Sequence, residues 1–152
     1  MAPIANSTRS LGLSNTTDAP NFLTAPGQVG FTADGRNVVV TTKANNTILT
    51  FRFRDGRTAA TPTVTQSPGA VPFAFTSDDE GRLAVVEAGT GAVTTYDVNA
   101  NGSLTKLSSK AGGQKAACWI TEADGRIYVG NAGSSNLSGY EVADDGTVSL
   151  IG

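Results

Sequence analysis

An acidic-Gly-Arg triplet occurs three times in this chain, as Asp34-Gly35-Arg36, Glu80-Gly81-Arg82 and Asp124-Gly125-Arg126, with the glycines 46 and 44 residues apart. Fifteen or sixteen residues after each glycine stands an aromatic, Phe51, Tyr96 or Tyr140. Five or six residues further on comes a second turn, Asp55-Gly56, Asn101-Gly102 or Asp145-Gly146. Three kinds of marker keeping phase over three units define a tandem repeat of one supersecondary unit.

Within each unit the local pattern is β. Short apolar or alternating runs lie between Asp-Gly and Asn-Gly pairs, which favour the positive backbone angles of tight hairpins. First strands are predicted at 29–32, 73–76 and 118–121, and second strands at 38–42, 83–87 and 127–131. Third strands are predicted at 48–53, 93–98 and 137–142, and weaker, more polar fourth strands at 59–65, 104–109 and 147–151. No segment shows a helical period. Four antiparallel strands per unit, repeated in tandem, describe a β-propeller blade, with a polar outer strand that resists edge-to-edge pairing. The predicted fold is all-β, a partial propeller of three four-stranded blades at 26–70, 71–115 and 116–152. Residues 1–25 form an N-terminal segment, and 3–8 are read as the outer strand of a preceding blade. Two packed sheets in a sandwich are the competing architecture.

Propellers close with about 4–8 blades, so three leave two faces bare. Completion of the ring by a second copy of the chain or by missing blades is expected.

Composition narrows the chemistry. The chain has no His and a single Cys, Cys118, which removes imidazole catalysis, His-metal sites and paired-cysteine sites. No cofactor is expected. Net charge is −2, which speaks against a nucleic-acid partner, and no apolar run approaches the roughly 18 residues of a membrane helix. The N-terminus lacks the pattern of an intact signal peptide. Scarce Lys and Glu, four of each, lean towards an extracytoplasmic protein. Sequons begin at Asn6, Asn15, Asn45, Asn101 and Asn136 and matter only in a secreted eukaryotic chain.

The units resemble the YVTN-type, lactonase-like seven-bladed propellers, which include 6-phosphogluconolactonases and carboxymuconate-lactonizing enzymes. The resemblance rests on Pro26-Gly27-Gln28-Val29-Gly30-Phe31-Thr32-Ala33-Asp34-Gly35-Arg36, on Tyr128-Val129-Gly130-Asn131 and on Tyr96-Asp97-Val98, and covers about residues 26–152. It implies working Arg and His side chains entering from the loop before each first strand. The matching pairs are Gly27/Gln28, Val71/Pro72 and Ala116/Ala117, none of them Arg or His. The implied acid follows the Asn position of the second strand. That position holds Thr42, Glu87 and Asn131, and the residues after it are Lys43, Ala88 and Ala132.

Five residues are candidates for a ligand site at the channel mouth. Thr42, Glu87 and Asn131 occupy equivalent second-strand ends, and with Gln28 they are read as a polar ring for a small ligand. Strand-end capping is the competing role. Trp119 replaces Gly30 and Ala74 at the corresponding place, either as a stacking platform or as a filler between blades. Cys118 matches Val29 and Phe73 and is read as a buried apolar residue.

Charge is divided unevenly. Residues 1–66 carry six Lys/Arg against three Asp, or +3, and residues 67–152 five against ten Asp/Glu, or −5. Arg52 and Arg54 share a strand face with Arg57 just beyond, and head-to-tail attraction between copies competes with a solvated rim. The leading functional reading is a non-catalytic repeat module for self-assembly or for binding a partner or small polar ligand. The alternatives are a hydrolase of sugar or muconate lactones and a glycan-binding propeller using Trp119.

Overall fold

A computed structural model describes residues 2, 4–14 and 21–152, none of them in a helix. The first sheet contains β1 (Pro26–Phe31), β2 (Asn37–Thr42), β3 (Thr47–Arg54), β4 (Arg57–Thr58) and β5 (Thr63–Gln66). The second runs β6 (Pro72–Ser77), β7 (Leu83–Glu87), β8 (Ala92–Val98), β9 (Leu104–Ala111). The third runs β10 (Ala117–Ala123), β11 (Arg126–Asn131), β12 (Asn136–Val142), β13 (Val148–Leu150). Every pairing is antiparallel and mostly between chain neighbours, as in a blade. The turns follow from their residues. Asp55 and Gly56 both take positive φ, 52° and 74°, the backbone of a two-residue hairpin whose twist matches its strands.

One predicted strand is split. In place of a continuous outer strand at 59–65, β4 and β5 pair separately with β3. Pro62 lies between them, and without an N–H it cannot extend the ladder. The N-terminal segment is read as the outer strand of a preceding blade, and the described residues hold no such blade for it to pair with. Residues 4–14 contain no strand, and Pro3 lies outside the described residues. Instead Leu11 packs on Val40, Leu49 and Phe51, and the Arg9 guanidinium donates to the carbonyls of Thr58 and Ala59, 2.8 Å each.

Side-chain alternation decides what faces what. Val39 and Ile48 meet Phe75, Leu83, Val85 and Tyr96 of the middle blade. From its other face Ala74, Ala84, Val86 and Val93 meet Cys118, Ile127, Val129 and Tyr140 of the third. Each fully buried Val, Leu or Ile contributes roughly 1.5–3 kcal/mol, so the two inter-blade cores hold the arc together. The terminal faces are open. Val29, Phe31 and Val64 are exposed on the first blade, and Trp119, Tyr128 and Leu137 on the third.

The first strand of each blade begins with a bulge, between Pro26 and Val29, Pro72 and Phe75, and Ala117 and Trp119. Val71 and Ala116, just before the second and third of these, take positive φ of 61° and 51°. Bulges re-aim side chains and mark functional edges. Here they gather the starts of the three first strands at one end of the arc.

Candidate functional site

At that end Lys43 follows β2, opposite the start of β1. Its side chain is buried, only 4% exposed. The ammonium lies 3.9 Å from the ring centre of Phe22 and 4.9 Å from that of Phe73. Phe22 and Phe73 are 5.6 Å apart, and Phe73 meets Trp119 edge-on at 5.9 Å. A cation over aromatic faces is stabilised by about 0.5–2 kcal/mol as desolvation increases. Among the described residues Lys43 forms no ion pair. Burial pushes the Lys43 amine below its ordinary value, and proximity to Cys118 acts in the opposite direction. Burial pushes the Cys118 thiol up, with Lys43 acting in the opposite direction. The cluster therefore joins one segment before the sheets and one residue or more from each of the three blades.

The chemistry such a group offers is specific. An ammonium held by ring faces has its N–H donors unspent on a carboxylate. It is suited to a ligand carboxylate, or to oxygen charge that builds on a carbonyl as it is attacked. Among the described residues no group of three or more His, Cys, Asp or Glu that could hold a metal ion is present.

The sequence-derived candidates fall into two groups. Trp119 belongs to the Lys43 cluster and remains 62% exposed. The other four are engaged in holding the fold. Gln28 spans two blades, donating to the Phe75 carbonyl at 3.0 Å and accepting from the Phe75 N–H at 3.1 Å. The Thr42 hydroxyl bonds to the Thr47 carbonyl at 3.0 Å and meets the Thr47 hydroxyl. Glu87 accepts from the Ser67 hydroxyl at 2.8 Å and the Gly69 N–H at 3.0 Å. Gly69 is glycine because a side chain there would collide with that carboxylate. The Asn131 amide donates to Asn136 and Ser138 at 3.0 and 2.8 Å. Thr42, Glu87 and Asn131 are all buried, as is Lys43. Cys118 is free and buried.

Lys43 is the residue that sequence reasoning passed over. Its signal was present: it occupies the place directly after the second-strand Asn position, where the other blades have Ala88 and Ala132. Phe22 carried no signal, because its partner is chosen by tertiary contact alone.

Three tandem antiparallel blades define a partial β-propeller, with a cationic, aromatic cluster at the head of their first strands. The sequence profile of the family described as "Lactonase, 7-bladed beta-propeller" matches residues 8–121, and the chain belongs to that family. Among curated proteins none matches it in sequence. Among solved structures it is similar to the periplasmic gluconolactonase of Pseudomonas aeruginosa, with 19% identity over 84% of this chain and 39% of that one, TM-score 0.72. It is also similar to a candidate 6-phosphogluconolactonase from Bacteroides fragilis, with 16% identity over 83% and 37% of the two chains and TM-score 0.73. Virginiamycin B lyase from Staphylococcus aureus shares the architecture at 20% identity over 86% and 42%, TM-score 0.57. The chain thus spans well under half the length of these structures.

Proposed function

We propose that this chain forms part of a lactonase-type propeller that binds a sugar lactone, or the sugar acid formed from it, at the bulged heads of its first strands. Lys43 is the group that faces the acyl oxygen or the carboxylate, and Trp119 offers its exposed ring to the sugar. The observation that carries the reading is the buried Lys43 ammonium, held by Phe22 and Phe73 and without a carboxylate partner among the described residues. Family membership supports a lactone over other carbonyl ligands, and nothing in the architecture favours a non-catalytic assembly module over it. Hydrolysis adds water across the ring acyl–oxygen bond, which needs a base to take the water proton. That base comes from blades beyond these three. Val29, Phe31 and Val64 on the first blade and Tyr128 and Leu137 on the third are surfaces that further blades cover, from another copy or a longer polypeptide. The periplasmic relative supports an extracytoplasmic location.

Lactone hydrolysis above the buffer rate, reduced by Lys43→Met roughly tenfold or more and kept in Glu87→Gln, supports this reading. Hydrolysis indifferent to Lys43→Met overturns the role given to Lys43. The exposure of Trp119 favours a second reading, glycan binding without turnover. Glycan retention that is lost in Trp119→Ala, with no lactone hydrolysis, would select it.

A further inference from the structure

The outer hairpin of the first blade carries a cluster that neither the fold nor the Lys43 site uses. Arg54 and Arg57 are direct cross-strand partners across the Asp55-Gly56 turn, and Arg52 lies on the same face of β3. With Asp55, Thr58 and Ala59 they line one open groove of about 480 Å³. Among the described residues none of these three guanidiniums makes an ion pair. Like charges placed directly opposite each other weaken an antiparallel pair, so the hairpin carries them at a cost to its own stability. The repeat does not demand them. Arg52 corresponds to Asp97 and Glu141, Arg54 to Asn99 and Ala143, and Arg57 to Ser103 and Thr147. The corresponding groove of the third blade, lined by Glu141 and Asp144, is acidic. The basic character therefore belongs to this hairpin and not to blades in general.

We propose that the Arg52–Arg54–Arg57 groove is a binding site for a phosphate or sulfate group. Three guanidiniums and the Asp55 carboxylate leave a surplus of two positive charges, which a doubly charged oxyanion neutralises. Guanidinium forks also match its oxygens in pairs. Occupation removes the repulsion between Arg54 and Arg57, so a ligand raises the stability of the protein. The absence of aromatic side chains among the groove residues removes the stacking that single-stranded nucleic acid uses. The same oxyanion chemistry is offered by the free ion and by a sulfated polysaccharide.

The test is calorimetric titration of the purified chain with inorganic phosphate and, separately, with heparin, alongside thermal unfolding. The Arg54→Glu/Arg57→Glu protein is compared with a charge-matched control, Arg36→Glu/Arg126→Glu, whose arginines are exposed outside the groove. Saturable binding with a raised Tm is expected, weakened roughly tenfold or more in the groove variant and less than about twofold in the control. Binding of both probes or of phosphate alone supports a site for the free group, and binding of heparin alone supports a polymer-borne one. Arg54→Gln/Arg57→Gln replaces the glutamate variant if that protein unfolds. Absence of binding by both probes, or equal weakening in groove and control variants, overturns the proposal.

Discussion

The hydroxyl of Thr95 donates to the carbonyl of Gly146, 2.6 Å away, across the junction between the second and third blades. Thr50 makes the equivalent bond to the Gly102 carbonyl across the first junction. Both threonines are buried, and both carbonyls belong to the second turn of the following blade. The third blade has Gly139 at this place, so the series of hydroxyl bonds stops at the open face. Removing one hydroxyl leaves a buried carbonyl unpaired, at about 1–3 kcal/mol. Thr95→Val, which keeps the shape, is expected to lower the unfolding free energy by that amount, read as a lower urea midpoint at unchanged slope. A neutral result would mean that the apolar contacts alone set the blade spacing.

Arg82 and Arg36 occupy the same place in two copies of the triplet but live in different surroundings. Arg82 is buried, pairs with Asp78 at 2.7 Å and Glu80 at 2.9 Å, and reaches the Asp144 carbonyl of the next blade at 2.6 Å. Arg36 is solvent-exposed and only 3.8 Å from Asp34. Truncating one partner of a buried pair costs about 3–5 kcal/mol, whereas exposed pairs contribute at most about 1. Chemical denaturation of Arg82→Ala and Arg36→Ala is expected to separate the two by several-fold in free energy.

Glu87 is a buried, hydrogen-bonded carboxylate. The Ser67 hydroxyl and the Gly69 N–H both donate to its Oε1, an acceptor that Leu removes and the carbonyl oxygen of Gln replaces. Glu87→Leu is expected to lose about 1–3 kcal/mol in stability and Glu87→Gln less than about 1, with ligand binding at the Lys43 cluster unchanged in both. Lost binding at full stability would return Glu87 to the functional site.

Burial, reinforced by the charge of Glu87, holds the Tyr96 phenol well above its usual range, and burial does the same to Tyr140. Their pKa values are raised on folding, so the neutral phenols' contribution is complete below the unfolded value of about 10. It is lost as pH rises through the folded values. Melting temperatures recorded upward from pH 9 should fall, and the fall should be shallower in Tyr96→Phe/Tyr140→Phe. Parallel curves would contradict the assignment.

Blade number and phase were readable because their determinants are local. Asp55-Gly56, Asn101-Gly102 and Asp145-Gly146 declare their turns by backbone preference, and the apolar runs Val38–Val40 and Leu83–Val86 declare the burial of the first two second strands on both faces. The break at Pro62 was equally local, a strand feature the periodic reading smoothed over. The site was another matter. Thr42, Glu87 and Asn131 share a register position, which made them look like a ring, yet register does not say whether a polar side chain turns to solvent or caps its own strand. Lys43 becomes a site only when Phe22, from a segment with no periodic signal, and Phe73, from the next blade, close over it.

Trp119 is the single tryptophan of the chain and lies against Phe73 beside Lys43, so its emission reports directly on the cluster. Titration with gluconate is the most direct measurement. A saturable change in Trp119 fluorescence that is abolished by Lys43→Met, with the fold intact by circular dichroism, is the predicted result. A flat titration, or the same saturable change in the Lys43→Met protein, would contradict a ligand site built around that ammonium.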